Sequence, residues 1–411
     1  MRISEKKAFL GLILIFAGLS IIFYGVFPNF TVINNPLDVD YISEGKYTGN
    51  YLLSPTWGDA VIIDDHGNIQ WQSGKGEFFL HDSDFLSHKN GTILMADTTN
   101  NRVIEVGIHN SANVIWSWEA RNNDDINWTE FSVAQGWEDL SFLEEKYPIL
   151  SSWTHLNDVD FINGSRFGRN YDSVLISLRN LNLVIEVNYS DTKEILWSYG
   201  DPNNSTILNQ QHNPDQYENG NVVICDTGNN RIIEVNKTTN EVVWELKLEF
   251  PHGKLRIARD CDDIGNGLRL ITDSGNNRLL IYDMNSGKII KEIKSMLFGN
   301  PYDADLLENG NILVSSSVKD LILIVDYETG LVIKVIGFPY KWIVPYSLIF
   351  LVLGYFSIKL FQALKSSSKK KIRKIFDFQV YRQIIYVICG ILFFYFLDTI
   401  LSFLWLFSFT G

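Results

Sequence analysis

The 411-residue chain carries 48 Asp and Glu against 35 Lys and Arg, a formal net charge of −13. That balance argues against nucleic-acid binding. Its three cysteines show no Cys-x-x-Cys or zinc-type spacing, so neither a metal nor a cofactor is expected.

The first element is apolar. Residues 8–27 are twenty positions without a charge, enough to cross a bilayer core of about 30 Å. The run is too long for a cleavable signal and shows no small-x-small site, so an uncleaved transmembrane anchor is expected. Arg2, Lys6 and Lys7 precede it, and the positive-inside rule puts residues 1–7 in the cytoplasm.

Residues 28–341 then repeat. Asn90-Gly91, Asn219-Gly220, Asn266-Gly267 and Asn309-Gly310 each open a short apolar run rich in β-branched residues. Asn-Gly supplies the positive φ of a tight hairpin, and the run is too short for a helix. A turn of the form Asp-(Thr/Ser)-x-x-Asn-Arg follows at 97–102, 226–231 and 273–278. A third strand and an outer strand close each unit. Aligning Ile63, Val106, Val187, Val235, Tyr282 and Val325 gives spacings of 43, 81, 48, 47 and 43. The long gap is one unit plus an insertion near 120–152. Six units of four short strands predict an all-β fold, a six-bladed β-propeller. The first unit, roughly 37–74, is the least regular, consistent with ring closure by a strand from each end.

Two further apolar segments follow. Residues 342–360 and 384–409 are expected transmembrane helices, the latter with one charge at Asp398. Between them, residues 361–383 form a basic cytoplasmic loop carrying Lys365, Lys369, Lys370, Lys371, Arg373, Lys374 and Arg382. The chain is therefore expected in the cell membrane as a multi-pass protein. The lipid bilayer is its partner, and the propeller lies on the extracytoplasmic side. Cys225 and Cys261, both in the outer domain, either pair or are buried thiols.

Chemistry concentrates where units begin. His81-Asp82-Ser83-Asp84, His155-Leu156-Asn157-Asp158 and His212-Asn213-Pro214-Asp215 each open a unit with His-x-x-Asp. Equivalent positions in a propeller surround one axis, so these histidines, with His252, are expected to line one opening. A histidine there serves as nucleophile, acid, base or ligand, with the Asp as an orienting partner. The alternative is a polar tie between blades. Arg179 breaks the repeat: 175–180 reads Leu-Ile-Ser-Leu-Arg-Asn, a cation where other units place a turn carboxylate. Arginine suits bidentate recognition of sulfate, phosphate or carboxylate. Arg102, Arg231 and Arg278 repeat with their turn and read as structural. Trp71, Trp116, Trp118, Trp197 and Trp244 read as blade packing. The aromatic insertion reads as an ordered lid or a binding wall.

The run from Trp153-Thr154-His155 through Leu175-Ile176-Ser177-Leu178-Arg179, then Ile195-Leu196-Trp197-Ser198-Tyr199-Gly200, then Gln211-His212 resembles the arylsulfotransferase family, whose members are six-bladed propellers. The resemblance covers roughly 37–337 and not the membrane segments. It implies transfer of a sulfuryl group from a small aryl sulfate to a phenol through a transiently sulfated histidine. By resemblance His212 is the nucleophile, His155 and Arg179 hold the sulfuryl oxygens, and His81 is an additional site histidine. His252, in Phe250-Pro251-His252-Gly253, is the rival nucleophile. The Asp-Thr-Gly-Asn-Asn-Arg turns also resemble NHL-type propellers, many of which only bind. A non-catalytic propeller that binds glycans, peptides or partner proteins is thus the alternative.

Overall fold

The computed structural model describes residues 33–337 except 57, 75–78, 90, 123, 138–151 and 250. The expected spans 8–27, 342–360 and 384–409 and the loop 361–383 lie outside the described residues. Among the described residues no helix is long and apolar enough to cross a membrane.

Six four-stranded antiparallel sheets follow one another, each ordered from first to fourth strand along the chain. This is a six-bladed propeller. The first, innermost strands are Pro36–Tyr41, Leu80–Leu86, Leu156–Ile162, His212–Gln216, Ala258–Asp263 and Pro301–Leu306. The six aligned positions, Ile63 through Val325, occupy one register point on the third strands: they pair with Tyr51, Ile93, Val174, Val222, Arg269 and Ile312. Second strands such as Thr92–Asp97 and Ser173–Leu178 are buried throughout, because each sheet is covered on both faces by its neighbours. Trp71, Trp116, Trp118 and Trp197 are buried in that packing, and Trp244 packs partly buried beside Leu246 and Tyr282.

The repeated turn is left-handed at one residue. Asn101, Asn182, Asn230, Asn277 and Asp320 take φ of 54, 49, 53, 51 and 57°, which Asn and Asp tolerate better than other side chains. The arginine that follows folds back: Nε of Arg102, Arg231 and Arg278 donates to Asp97, Asp226 and Asp273 at 2.7, 2.6 and 2.7 Å. These arginines are structural, as expected.

Ring closure differs from the expectation. All four strands of blade 1 come from residues 36–72 and all four of blade 6 from 301–336, so neither blade is shared between the two ends. Hydrogen bonds close the ring instead. Asn35 N donates to Asp320 Oδ1 at 2.8 Å, Val39 N to Asp303 Oδ2 at 3.3 Å, and Ser315 Oγ to Leu37 O at 3.2 Å.

The same device joins other blades. Innermost strands lie side by side without a ladder, so their backbone N–H groups need other acceptors. Asp38 accepts from Ser83 N, Asp82 from Val159 N, Asp84 from Phe161 N and Asp260 from Ala304 N, at 3.1, 2.8, 3.1 and 3.2 Å. The turn hydroxyls add a second row of ties. Thr98 and Thr227 donate to the carbonyls of Leu156 and Ala258, both at 2.6 Å, and Ser274 donates to that of Pro301.

In the insertion, Asn127 caps the helix Trp128–Gln135 by accepting from Glu130 N. Trp128 and Trp153 pack into the core shared by blades 2 and 3, with Phe131 against it. Phe142 and Tyr147 lie outside the described residues. Cys225 and Cys261 are free and buried, which selects the thiol reading over the disulfide.

Candidate functional site

Side chains from four blades meet at one point, which places that point on the propeller axis. The ring centroid of His81 lies 5.2 Å from that of His155, 6.1 Å from His212 and 5.4 Å from Tyr302; His212 and Tyr302 are 5.9 Å apart. Phe79 packs edge-on against His81 at 5.2 Å and tilts against His155 at 5.7 Å. The three histidines are 4, 4 and 3% exposed.

The three His-x-x-Asp motifs converge but are not in one register. Asp84 and Asp215 pair opposite Leu94 and Val223, three positions before the end of their second strands, whereas Asp158 pairs opposite Ser177, one position before the end. His81 and His212 therefore sit on innermost strands, and His155 precedes its strand by one residue. It reaches the axis through a left-handed backbone, φ 45°. Blade 2 holds that approach: Asn101 Oδ1 accepts from Thr154 N and Thr154 Oγ1 at 3.0 and 2.9 Å. The aspartates do not serve His81 or His212 as orienting partners. Asp84 accepts from Phe161 N, and the His212 ring meets Gln210 and Thr227.

Arg179 reaches the site, 7% exposed. The register corrects which residue it replaces. Leu178 pairs with Leu183 as Asp226 pairs with Arg231, so Leu178 holds the carboxylate position and Arg179 that of the turn hydroxyl. Its Nη1 donates to Asn180 Oδ1 at 3.3 Å and its Nη2 to Gln210 Oε1 at 3.2 Å. His252 lies elsewhere, in a half-buried turn between blades 4 and 5, where its carbonyl accepts from Arg278 Nη1 at 2.8 Å.

Two site residues escaped the sequence reading. Arg259 Nη1 lies 2.6 Å from His212 Nε2, and its guanidinium stacks 4.0 Å over the Tyr302 ring. The Tyr302 hydroxyl lies 3.2 and 3.3 Å from the two ring nitrogens of His81. A signal for both was present. Asp-x-Asp recurs at 38–40, 82–84, 158–160, 260–262 and 303–305, and the residue before it is Leu37, His81, Asn157, Arg259 or Tyr302. That second repeat puts Arg259 and Tyr302 level with His81.

Burial, then the fields of Arg179 and Arg259, hold the His81, His155 and His212 imidazoles well below their ordinary pKa, so all three are neutral. Burial, followed by the neighbouring Arg259, lowers Arg179 to about 10. Burial raises the Tyr302 phenol to about 12 against the lowering by both guanidiniums.

The His212 tautomer follows from its partners. A guanidinium only donates, so Nε2 accepts from Arg259. The Gln210 carbonyl only accepts, so Nδ1 carries the proton and donates at 3.0 Å. Thr227 Oγ1, also 3.0 Å from Nδ1, spends its own proton on Ala258 O. His212 thus presents an unprotonated Nε2 toward the axis.

Beyond this cluster the axis turns acidic. Asp40, Asp84, Asp160, Asp215, Asp262 and Asp305 pair at one register point of the six blades. They open onto cavities, one of about 650 Å³ lined by Asp160, Asp215, Asp262 and Asp305. Asp215, Asp260 and Asp262 bring carboxylate oxygens within 4.8 Å of one another, as do Asp64 and Asp65 with a His66 ring nitrogen on an exposed turn. Either group has the donors to hold a cation.

No protein-family model matches this chain, and no curated protein matches it. Solved structures with a similar trace include a streptogramin B lyase, at 10% identity and a TM-score of 0.48 over 74% of this chain and 83% of that one. The WD40 β-propeller domain of Doa1 gives 11%, 0.48, 74% and 83%. Virginiamycin B lyase from Staphylococcus aureus gives 10%, 0.47, 74% and 85%. None of these likenesses carries an argument about chemistry, and the fold assignment rests on the six sheets themselves.

Proposed function

We propose that the axial cluster is the active site of an arylsulfotransferase-like enzyme that moves a sulfuryl group from an aryl sulfate to a phenol through His212. The observation that carries this reading is His212 held between Gln210 O at Nδ1 and Arg259 at Nε2, which leaves the Nε2 lone pair beside the guanidiniums of Arg259 and Arg179. In the first half-reaction Nε2 attacks sulfur, the S–O bond to the aryl group breaks, and the phenolate leaves. In the second, the acceptor phenol passes its proton to a neutral imidazole of the cluster, His81 or His155, its oxygen attacks sulfur, and the N–S bond breaks. Charge spread over the sulfuryl oxygens is stabilised by preorganised donors without a metal. Arg179 supplies one such donor, and His155 stands beside it with a neutral ring. An imidazole relay divides one displacement into two easier ones.

In this reading the propeller faces outward from the cell membrane on its anchor and its two C-terminal spans. The test is full-length protein incubated with an aryl sulfate and a phenol, with His212→Ala and His252→Ala beside the wild type. Transfer that disappears only in the His212 variant is the expected result. Transfer lost only in the His252 variant would move the nucleophile there. No transfer from folded protein across several donors would favour the binding propeller.

A further inference from the structure

We propose that Arg259 is a catalytic residue that masks the His212 nucleophile until an anion draws it away. This rests on the transferase reading and adds to it. The Nε2 lone pair of His212 is the pair that must attack sulfur, and it accepts from Arg259 Nη1 at 2.6 Å. One lone pair cannot accept that proton and form a bond to sulfur together.

The surroundings of Arg259 suit a guanidinium that changes partners. Among the described residues no carboxylate pairs with it, and its Nε is buried without a hydrogen-bond partner. The fifteen ion pairs of the described residues do not include it. A buried donor without an acceptor calls for a ligand that supplies one. The face of Tyr302 supports the guanidinium plane at 4.0 Å, so the group keeps a seat when the hydrogen bond to His212 breaks. A tetrahedral oxyanion offers charge-assisted, bidentate acceptors, which a guanidinium prefers over a neutral imidazole. Binding of the anionic donor and release of the nucleophile thereby become one event, and neutral electrophiles meet a capped nitrogen. After transfer, departure of the sulfuryl group returns Arg259 to Nε2.

The test reads the nitrogen directly, in full-length protein with ¹⁵N-labelled histidine and inorganic sulfate as the probe. The His212 Nε2 resonance is assigned by its loss in His212→Gln. In the wild type, sulfate is expected to move that resonance saturably toward the position it holds in sulfate-free Arg259→Gln. In Arg259→Gln, sulfate is expected to move it little further. A His212 resonance unchanged by Arg259→Gln, or a wild-type resonance unmoved by sulfate, overturns the proposal. The variants supply the assignment and the reference position, so each is first checked for a wild-type melting transition; a wild-type resonance unmoved by sulfate overturns the proposal whatever the variants do. Neither readout needs turnover. Shifts as expected without sulfuryl transfer would sink the transferase reading and leave only an anion-drawn exchange of Arg259 away from His212; transfer without the shifts would keep the transferase and sink the mask.

Discussion

Arg179 reaches across a blade boundary to Gln210, donating from Nη2 to Oε1 at 3.2 Å. The residues at its register point in other blades, Thr98, Thr227 and Ser274, tie their blade to the next through a hydroxyl. Blade 3 has exchanged a hydroxyl tie for one made by a buried cation. Its cost is desolvation, and its use is in the site beside it.

The exchange is reversible by mutation. Arg179→Thr is expected to hold or raise stability, since it removes a buried charge and restores a hydroxyl whose bond contributes about 1 kcal/mol. Sulfuryl transfer should fall by roughly 10²–10³-fold, as for loss of one preorganised oxyanion donor. Thermal melts and steady-state kinetics on the same preparation check both halves. A large loss of stability in this variant would return Arg179 to the structural role.

The axial aspartates make a second prediction. Asp82→Asn keeps an oxygen for Val159 N and removes a charge that burial and neighbouring carboxylates disfavour, pushing Asp82 up to about 7. It is expected to be neutral or stabilising at pH 8. Asp82→Ala leaves that N–H without its acceptor and should cost about 1–3 kcal/mol. Urea unfolding of the two variants separates a blade tie from a charged site.

Stability should rise as pH falls from 8 toward 5. Burial raises Asp82 and Asp260 to about 7 and Asp160 and Asp305 to about 6. A carboxyl raised in the folded state contributes stability at low pH that is lost as pH rises through the folded pKa. The buried neutral histidines act oppositely: their pKa is lowered on folding, so their contribution is present above the unfolded value near 6.5 and lost below it. These four carboxyls outnumber His81, His155 and His212, and burial raises Asp38, Asp40, Asp158, Asp215 and Asp303 as well. The melting temperature across pH 5–8 gives the sign; a monotonic fall toward pH 5 would contradict it.

Gly200 ends the outer strand of blade 3 at φ 117°, and a Cβ there would lie 2.1 Å from Asn182 O. Asn182 is the left-handed residue of the turn that carries Arg179. Gly200→Ala is expected to destabilise by more than about 1 kcal/mol, because the backbone forbids a side chain there. Chemical unfolding measures the cost, and disturbed sulfate binding would show the strain reaching Arg179.

Much of this protein was legible as sequence because its information is local and repeated. Asn-Gly hairpins, β-branched runs and the Asp-(Thr/Ser)-x-x-Asn-Arg turns are short-range chemistry, and a weak signal repeated three or four times makes a strong one. The single register point shared by Ile63 through Val325 shows how far that goes. His81, His155, His212 and Arg179 were found as breaks or beginnings in the same repeat. What the sequence left undecided depends on contacts between blades. The motif suggested that His155 is equivalent to His81 and His212, but its motif lies two register positions earlier and a left-handed backbone brings it to the axis by another route. Arg259 and Tyr302 each precede a recurring Asp-x-Asp, which sets them level with His81, but only the closed ring brings blades 5 and 6 round so that they face the histidines. The tautomer of His212 was likewise decided by folding, since its two partners lie two and forty-seven residues away along the chain. A propeller's repeat sets each blade, and only the closed ring sets which side chains meet at its centre.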